Sequence, residues 1–173
     1  MDMITIREDI QETHTFSLLV DNEAGVLARV IGLFSGRGYN IESLTVAEVD
    51  KDSHTSRITI VSKGSPKTID QIKRHLERLV PVHKVTDLTI EGPSVEREMA
   101  LIKVLYTNES KEEILRLVEI YRAKIVDTTD KSFVFELTGA MDKINSFIDL
   151  LRPLGLKDIS RTGLAAIARG SKN

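Results

Sequence analysis

The spacing of apolar residues in the first half of the chain alternates between a strand period and a helix period. From His14 to Val20 every second residue is apolar, as in a half-buried strand. From Val26 to Phe34 the apolar residues recur at three- and four-residue intervals, which predicts a helix that ends near Gly38. The pattern then predicts a hairpin, a second helix and a closing strand, over residues 39–63, 66–80 and 82–90. The predicted order is βαββαβ.

The same order recurs after a cluster of chain-breaking residues at 91–94 (EGPS). It consists of a strand, a helix, a hairpin pair, a second helix and a last strand, over residues 99–106, 111–122, 124–137, 141–151 and 156–168. The sequence therefore predicts an α+β protein with two tandem ferredoxin-like βαββαβ domains, each with two helices on one face of a four-stranded antiparallel sheet. Because the other face of each sheet is left uncovered, a homo-oligomer is expected.

Composition narrows the classes of function. The 173 residues are 41% hydrophobic and carry a net charge of −2 with interspersed acids and bases, which argues against a nucleic-acid-binding surface. The absence of cysteine excludes disulfides, thiolate nucleophiles and zinc–thiolate sites. No apolar run approaches the roughly 20 residues of a membrane span, and the start MDMITIREDIQET lacks the apolar core of a signal peptide. We therefore expect a cytoplasmic protein without a membrane partner.

Catalytic motifs are missing from the sequence. The four histidines show no metal-ligand spacing, and there is no nucleophile elbow, P-loop or dinucleotide fingerprint. The glycine-rich SGRG at 35–38 ends a helix, whereas a phosphate-binding loop opens one. An RNA-recognition module is also disfavoured, because the candidate strand HTSRITIVSK has no aromatic side chain for stacking bases. The sequence predicts no catalytic and no metal-binding residues.

The turn before the first helix, DNEAGVL, is the strongest candidate for a binding site. Asn22 and Gly25 precede the helix, and glycine allows a small ligand to approach the backbone. The first backbone N–H groups, near Val26 and Leu27, have no intrahelical partner and favour a bound carboxylate by roughly 0.3–1 kcal/mol. The alternative is that Asn22 or Asp21 simply caps the helix, and spacing alone favours this capping interpretation.

A second asparagine, Asn40, opens the next strand at the far end of the same helix. At about 1.5 Å per residue over some twelve residues, it lies too far from Asn22 to share one small ligand within a single chain. Two subunits packed antiparallel could bring Asn22 of one chain near Asn40 of the other. The alternative is that Asn40 is an ordinary turn residue.

These residues carry a resemblance to a known family. Segment 21–50 (DNEAGVLARVIGLFSGRGYNIESLTVAEVD) resembles the opening of the small, regulatory subunit of acetolactate synthase (acetohydroxyacid synthase). The family pattern is NE, a small residue, then G-x-L-x-R-V-x-x-L-F-x-x-R-G-Y-N-I-x-S-L, and it is matched without gaps. Ala24 stands where many relatives have Ser or Pro. The segments 95–104 (VEREMALIKV) and 161–170 (RTGLAAIARG) resemble the start and the last strand of the family's second domain.

The resemblance implies a domain organisation and a ligand site. Residues 14–91 would form an ACT domain for effector binding and dimerisation, and residues 95–173 the C-terminal ferredoxin-like domain of this family. Residues 1–13 fall outside the match as an N-terminal extension without an assigned role. The implied effector-binding residues are Asn22, Gly25, Val26 and Leu27 of one subunit with Asn40 of its neighbour.

The implied function is regulation of branched-chain amino-acid biosynthesis. The chain would bind the thiamine-diphosphate-dependent large catalytic subunit, raise its activity and confer feedback inhibition by valine, without performing chemistry itself. It would hold no cofactor of its own, because thiamine diphosphate, magnesium and FAD would belong to the catalytic subunit. One alternative is an ACT-domain sensor for another pathway, such as serine or aromatic synthesis. A stand-alone enzyme would need a reactive cluster that the sequence lacks.

Overall fold

The computed structural model describes residues 10–171, which form two compact units. The first unit comprises residues 10–95 together with residues 164–171, and the second comprises Glu96–Gly163. Of the predicted N-terminal extension, residues 1–9 lie outside the described residues, and the first strand begins at Glu12.

The first unit has the predicted βαββαβ order. Its elements are β1 (Glu12–Asp21), α1 (Val26–Arg37), β2 (Ser43–Asp50), β3 (Thr55–Gly64), α2 (Pro66–Glu77) and β4 (Val82–Asp87). The sheet is antiparallel with the order β2-β3-β1-β4, so β2 and β4 are its edges. β4 ends at Asp87, three residues before the predicted end.

The core of the first unit lies between the sheet and its two helices. Alternate residues of β1 and β3 face the helices, because side chains of a strand point to opposite faces in turn. The buried side chains include Phe16, Leu18 and Ile60 from the strands, with Phe34 and Ile72 from the helices. In the described part of the chain both helices of this unit lie on this one face, so the opposite face of the sheet has no helix.

α2 begins, and α1 ends, at residues suited to that role. The Ser65 side chain accepts a hydrogen bond from the Thr68 N–H at 3.3 Å, and Pro66 occupies the first turn of α2. α1 ends at Gly38, whose φ of 68° is the left-handed conformation that terminates helices.

The second unit repeats the order. Its elements are β5 (Ser94–Leu105), α3 (Lys111–Tyr121), β6 (Lys124–Thr128), β7 (Ser132–Gly139), α4 (Met141–Leu151), a 3-10 turn (Arg152–Leu154) and β8 (Leu156–Arg161). The strand order is β6-β7-β5-β8, again antiparallel. Phe135 and Ile102 of the sheet and Ile114 and Phe147 of the helices are fully buried. The prediction of two tandem ferredoxin-like domains is confirmed.

The end of the chain differs from the prediction of one strand over residues 156–168, which is wrong. β8 ends at Arg161, Gly163 has a φ of 85°, and a separate strand β9 covers Ala165–Ala168. Leu164 is buried in the first unit, where its N–H donates to the Ser43 hydroxyl at 2.9 Å. Residues 164–171, which the predicted boundaries placed in the second domain, therefore group with the first unit.

An ion pair joins α2 to the loop after β4. Lys73 Nζ donates to Glu91 Oε1 at 2.6 Å, and the Asp87 N–H donates to the same oxygen at 2.9 Å. The hydrogen bond from Lys73 lowers the pKa of Glu91, and the bond to Glu91 raises the pKa of Lys73. A carboxyl group whose pKa is lower in the folded state contributes stability at any pH above its pKa in the unfolded state, about 4.3. This contribution is lost as the pH falls through the lower pKa of the folded state.

Replacing Lys73 by methionine is therefore expected to lower the free energy of unfolding at pH 7. The loss should stay below about 1 kcal/mol, because the two side chains are 31% and 39% exposed and water screens the pair. Urea unfolding followed by circular dichroism should show the difference shrinking as the pH falls below about 4.3. Lys67→Met on the same helix is the control, since no ion pair of Lys67 occurs in the described part of the chain. A Lys73→Met effect that persists undiminished in acid would contradict this assignment.

Candidate functional site

The turn between β1 and α1 is anchored by the backbone on two sides. The Asn22 N–H donates to the His54 carbonyl at 2.7 Å, in the turn that joins β2 to β3. The Asp21 N–H donates to the Pro81 carbonyl at 2.9 Å, just before β4. The Asp21 carboxylate is also hydrogen-bonded to His83 Nε2, at 2.5 Å. These bonds hold the loop in place at the N-terminus of α1.

α1 begins without a side-chain cap. Gly25 occupies the N-cap position with a φ of 86°, and neither Asn22 nor Asp21 bonds to the first turn of the helix. The capping alternative for these two residues is therefore wrong. The left-handed conformation of Gly25 explains why, since it turns the chain directly into the helix.

The start of α1 leaves backbone donors free. The Val26 N–H makes a long bond of 3.4 Å to the Glu23 carbonyl, and the Arg29 N–H bonds to the Gly25 carbonyl at 3.0 Å. Within residues 10–171 the N–H groups of Leu27 and Ala28 have no hydrogen-bond partner. No acidic side chain occupies the first turn. The helix therefore presents two unpaired N–H groups and its positive dipole end to solvent.

The side chain of Asn22 is exposed and forms a hydrogen bond with Glu48, a residue that no sequence motif indicates as part of the site. Asn22 Nδ2 donates to Glu48 Oε1 at 3.0 Å. Glu48 pairs with Ser56 of β3, which pairs with Val20 of β1, so Glu48 lies near the end of the sheet at the turn, next to the last row. The strand alternation of β2 is the only sequence signal that places Glu48 on the same face as α1.

Asn40 lies beyond the other end of α1. Its carbonyl accepts a hydrogen bond from the Ser62 hydroxyl at 2.6 Å, and its side chain is exposed. Asn22 and Asn40 are therefore separated by the twelve residues of α1, or about 18 Å. Within one chain the structure does not bring them together. The assignment of Asn22, Gly25, Val26, Leu27 and Asn40 as effector-binding residues stays a prediction.

Strand β2, next to the turn, is an exposed edge. Among the strands of residues 10–171 it pairs only with β3, and Val46 and Val49 are 44% and 52% exposed. An edge strand presents unpaired backbone N–H and C=O groups that readily pair with another strand. β2 thus offers a surface for a partner beside the N-terminus of α1.

The histidines do not assemble a metal site or a catalytic centre among the described residues. No group of three or more histidine, aspartate or glutamate side chains has metal-binding geometry in residues 10–171. His75 of α2 is half-buried, and its Nδ1 is hydrogen-bonded to the Tyr39 hydroxyl at 3.0 Å. Its burial, together with nearby arginines, lowers the pKa of His75. No helix in the described part of the chain is long and apolar enough to cross a membrane.

Comparison with known proteins gives matches to both halves of the chain. Residues 16–84 match the model of an AHAS small subunit-like ACT domain, and residues 97–170 match the model of the small subunit of acetolactate synthase. A probable acetolactate synthase small subunit from Archaeoglobus fulgidus is 48% identical over 92% of this chain and 98% of that protein. The acetolactate synthase small subunit of Haemophilus influenzae is 46% identical over 91% of this chain and 96% of that protein.

A solved structure shows the same similarity in three dimensions. The crystal structure of the acetolactate synthase small subunit from Thermotoga maritima is 44% identical and superposes with a TM-score of 0.81. The match covers 93% of this chain and 99% of that one.

Proposed function

Because this chain belongs to the acetolactate synthase small-subunit family, we propose that it is a regulatory subunit that binds a large catalytic subunit, activates it and makes it sensitive to valine. The observation that carries the proposal is the uncapped start of α1 beside Asn22. The chain would perform no chemistry itself. Thiamine diphosphate, magnesium and FAD would be held by the catalytic subunit.

The proposed effector site consists of backbone and side-chain groups at the turn before α1 that are free to bind a ligand. A free amino acid carries a carboxylate, which the N–H groups of Leu27 and Ala28 and the dipole of α1 can receive. Gly25 lets the ligand approach, since apart from its chain neighbours no atom of the described residues lies within 4 Å of the position that a Cβ would occupy there. Asn22 supplies an amide oxygen for the ammonium group, because its Nδ2 already donates to Glu48.

A homodimer through the ACT domain would complete this site. Antiparallel pairing of two β2 edges joins the two sheets and buries Val46 and Val49. The same two-fold arrangement runs the α1 helices of the two subunits in opposite directions. Asn40 of one subunit then approaches Asn22 of the other, which a single chain cannot achieve.

In a site shared by two subunits, the affinity for the effector depends on how the two subunits are positioned relative to each other. Coupling between two ligand sites is typically about 1–3 kcal/mol, and it requires that the effector bind one arrangement better than the other. A small movement of the two subunits changes whether Asn40 reaches the ligand. Valine binding can therefore shift the arrangement that the catalytic subunit meets.

The direct test is co-purification of this chain with an acetolactate synthase large subunit, followed by activity assays with pyruvate and thiamine diphosphate. We expect no turnover by this chain alone, a higher rate for the complex than for the large subunit alone, and inhibition of the complex by valine. Turnover without an added large subunit would contradict the regulatory role.

A sensor for another pathway is the competing function. Calorimetric titration with valine, leucine, isoleucine, serine and phenylalanine separates the two. A clear preference for serine or phenylalanine would favour the competing function, whereas binding of valine supports the proposal.

A further inference from the structure

The helix-free face of the first sheet carries a cavity of about 300 Å³, on the opposite side of the sheet from α1. β1, β3 and β4 form its floor, and the segment after β4 and strand β9 form its walls. The lining residues within residues 10–171 all belong to the first unit. Its volume is at the lower end of the range for small-molecule sites.

Two cations flank an apolar residue on the floor of this cavity. Leu19 of β1 pairs with Arg57 of β3 on one side and with Lys84 of β4 on the other. The three residues therefore form one row across the sheet and point to the same face. Since neighbouring strands lie about 4.8 Å apart, the two cationic residues are anchored about 10 Å apart.

The guanidinium of Arg57 is held in position. Arg57 Nη1 donates to the Ser17 hydroxyl at 2.8 Å, and Ser17 is itself a buried residue of the floor. The other N–H groups of Arg57 and the ammonium of Lys84 have no hydrogen-bond partner within residues 10–171. The cavity thus contains a pre-positioned guanidinium fork, which suits a planar carboxylate.

Among the described lining residues Glu91 is the one carboxylate; its main partner is Lys73, and the charge of Lys84 contributes less to lowering the pKa of Glu91. Glu91 is paired with Lys73 at 2.6 Å and also accepts from the Asp87 N–H. The Lys73–Glu91 pair is neutral as a unit, so Arg57 and Lys84 leave the cavity with a net positive charge.

Apolar groups complete the lining. Leu19, the buried Leu88 and Ile167 of β9 surround the polar groups, and Thr86 adds a hydroxyl beside Ser17. A cavity with apolar walls and a few converging polar groups recognises a ligand that has an apolar body and a defined polar end.

We propose that this cavity binds a small organic acid, with its carboxylate between Arg57 and Lys84 and a compact apolar body against Leu88 and Ile167. The site is separate from the turn before α1 and does not depend on the proposed regulation by valine. It provides the first unit with a second ligand surface on the other face of its sheet.

The test uses 2-naphthoate as a probe and its neutral isostere 2-naphthamide, each titrated into the full ¹⁵N-labelled chain and followed by NMR. We expect naphthoate to shift the amide signals of Leu19, Arg57 and Ile167 at millimolar or lower concentration. Naphthamide should bind at least about tenfold more weakly, because it lacks the charge that the two cations attract. Equal binding of the two probes would overturn the proposal.

The variants Arg57→Met and Lys84→Met should each weaken naphthoate binding by about tenfold or more, since each retains an apolar stem and loses a cation. Lys63→Met is the matched control, because Lys63 is an exposed cation on the same face of β3 but outside the cavity. The amide spectra also report whether each variant is folded. If the unmodified chain and the three variants all bind naphthoate equally, the assignment is refuted. It is also refuted if inorganic phosphate competes for the cavity as strongly as naphthoate.

Discussion

Replacing Asn22 by alanine is expected to abolish valine inhibition of the assembled enzyme while activation of the large subunit survives. The substitution removes the side chain beside the free N–H groups of α1 and leaves the turn intact, because the Asn22 backbone still bonds to His54. Asn40→Ala is expected to give the same result from the other end of the helix. The measurement is acetolactate synthase activity of each reconstituted complex as a function of valine concentration.

The control for both variants is Asn108→Ala, which removes an exposed asparagine from the second unit. This variant should retain wild-type valine inhibition. If Asn22→Ala and Asn40→Ala also retain it, the assignment of the effector site is wrong.

Mixing the two variants tests whether one site needs two chains. In a two-fold dimer of one Asn22→Ala chain and one Asn40→Ala chain, one site lacks both asparagines and the other site keeps both. We therefore expect co-expression of the two variants to restore part of the valine binding that each loses alone, as measured by calorimetry. A site contained within a single chain would show no such restoration.

Replacing Gly155 by alanine is expected to cause a large loss of stability in the second unit. Gly155 lies between the 3-10 turn and β8 with a φ of 107°, where side chains are strained. A Cβ at this position would lie 2.0 Å from the Leu105 carbonyl oxygen, on the backbone of the central strand β5. The Gly155 carbonyl also accepts the Leu105 N–H at 2.8 Å, so the turn cannot move away without breaking the pairing of β5 with β8.

The expected cost is at least about 3 kcal/mol, because backbone strain and a steric clash with the main chain add. Urea unfolding followed by circular dichroism measures it, since the chain has no tryptophan. Gly38→Ala is the matched control. Gly38 also has a positive φ, of 68°, but in residues 10–171 no atom beyond its chain neighbours lies within 4 Å of its Cβ position, so its cost should be near 1 kcal/mol. Similar losses in the two variants would show that the contact with Leu105 is not decisive.

The two glycines also show why part of the fold was readable from sequence. Gly38 follows a run of apolar residues at helical spacing, so its role as a helix terminator could be predicted. The constraint on Gly155 comes from Leu105, fifty residues earlier in the chain, and no local pattern indicates it. The end of β8 before Gly163 likewise depends on a distant contact and cannot be predicted from a local pattern. It is determined by the burial of Leu164 in the first unit.

Some features of the candidate site could also be predicted from the sequence, whereas others depend on the tertiary structure. The position of Gly25 before a helical pattern predicts free N–H groups, and the length of α1 predicts that Asn22 and Asn40 lie apart. Spacing also favoured a capping asparagine, and this was wrong because the left-handed Gly25 takes the N-cap position. The contact between Asn22 and Glu48 depends on the register of β2 against β3, which a sequence with several β-branched residues in each strand leaves open.

The sequence by itself determined the order of the elements from β1 to β8, the two tandem sheets with helices on one face, and the family. These properties follow from the period of the apolar residues and from an ungapped local motif, which need no information on distant contacts. Only the tertiary structure decided that α1 begins without a side-chain cap, that Glu48 meets Asn22, and that residues 164–171 return to the first unit. It also decided that Arg57, Leu19 and Lys84 form one row, because strand pairing brings together residues that lie up to sixty-five positions apart in the chain.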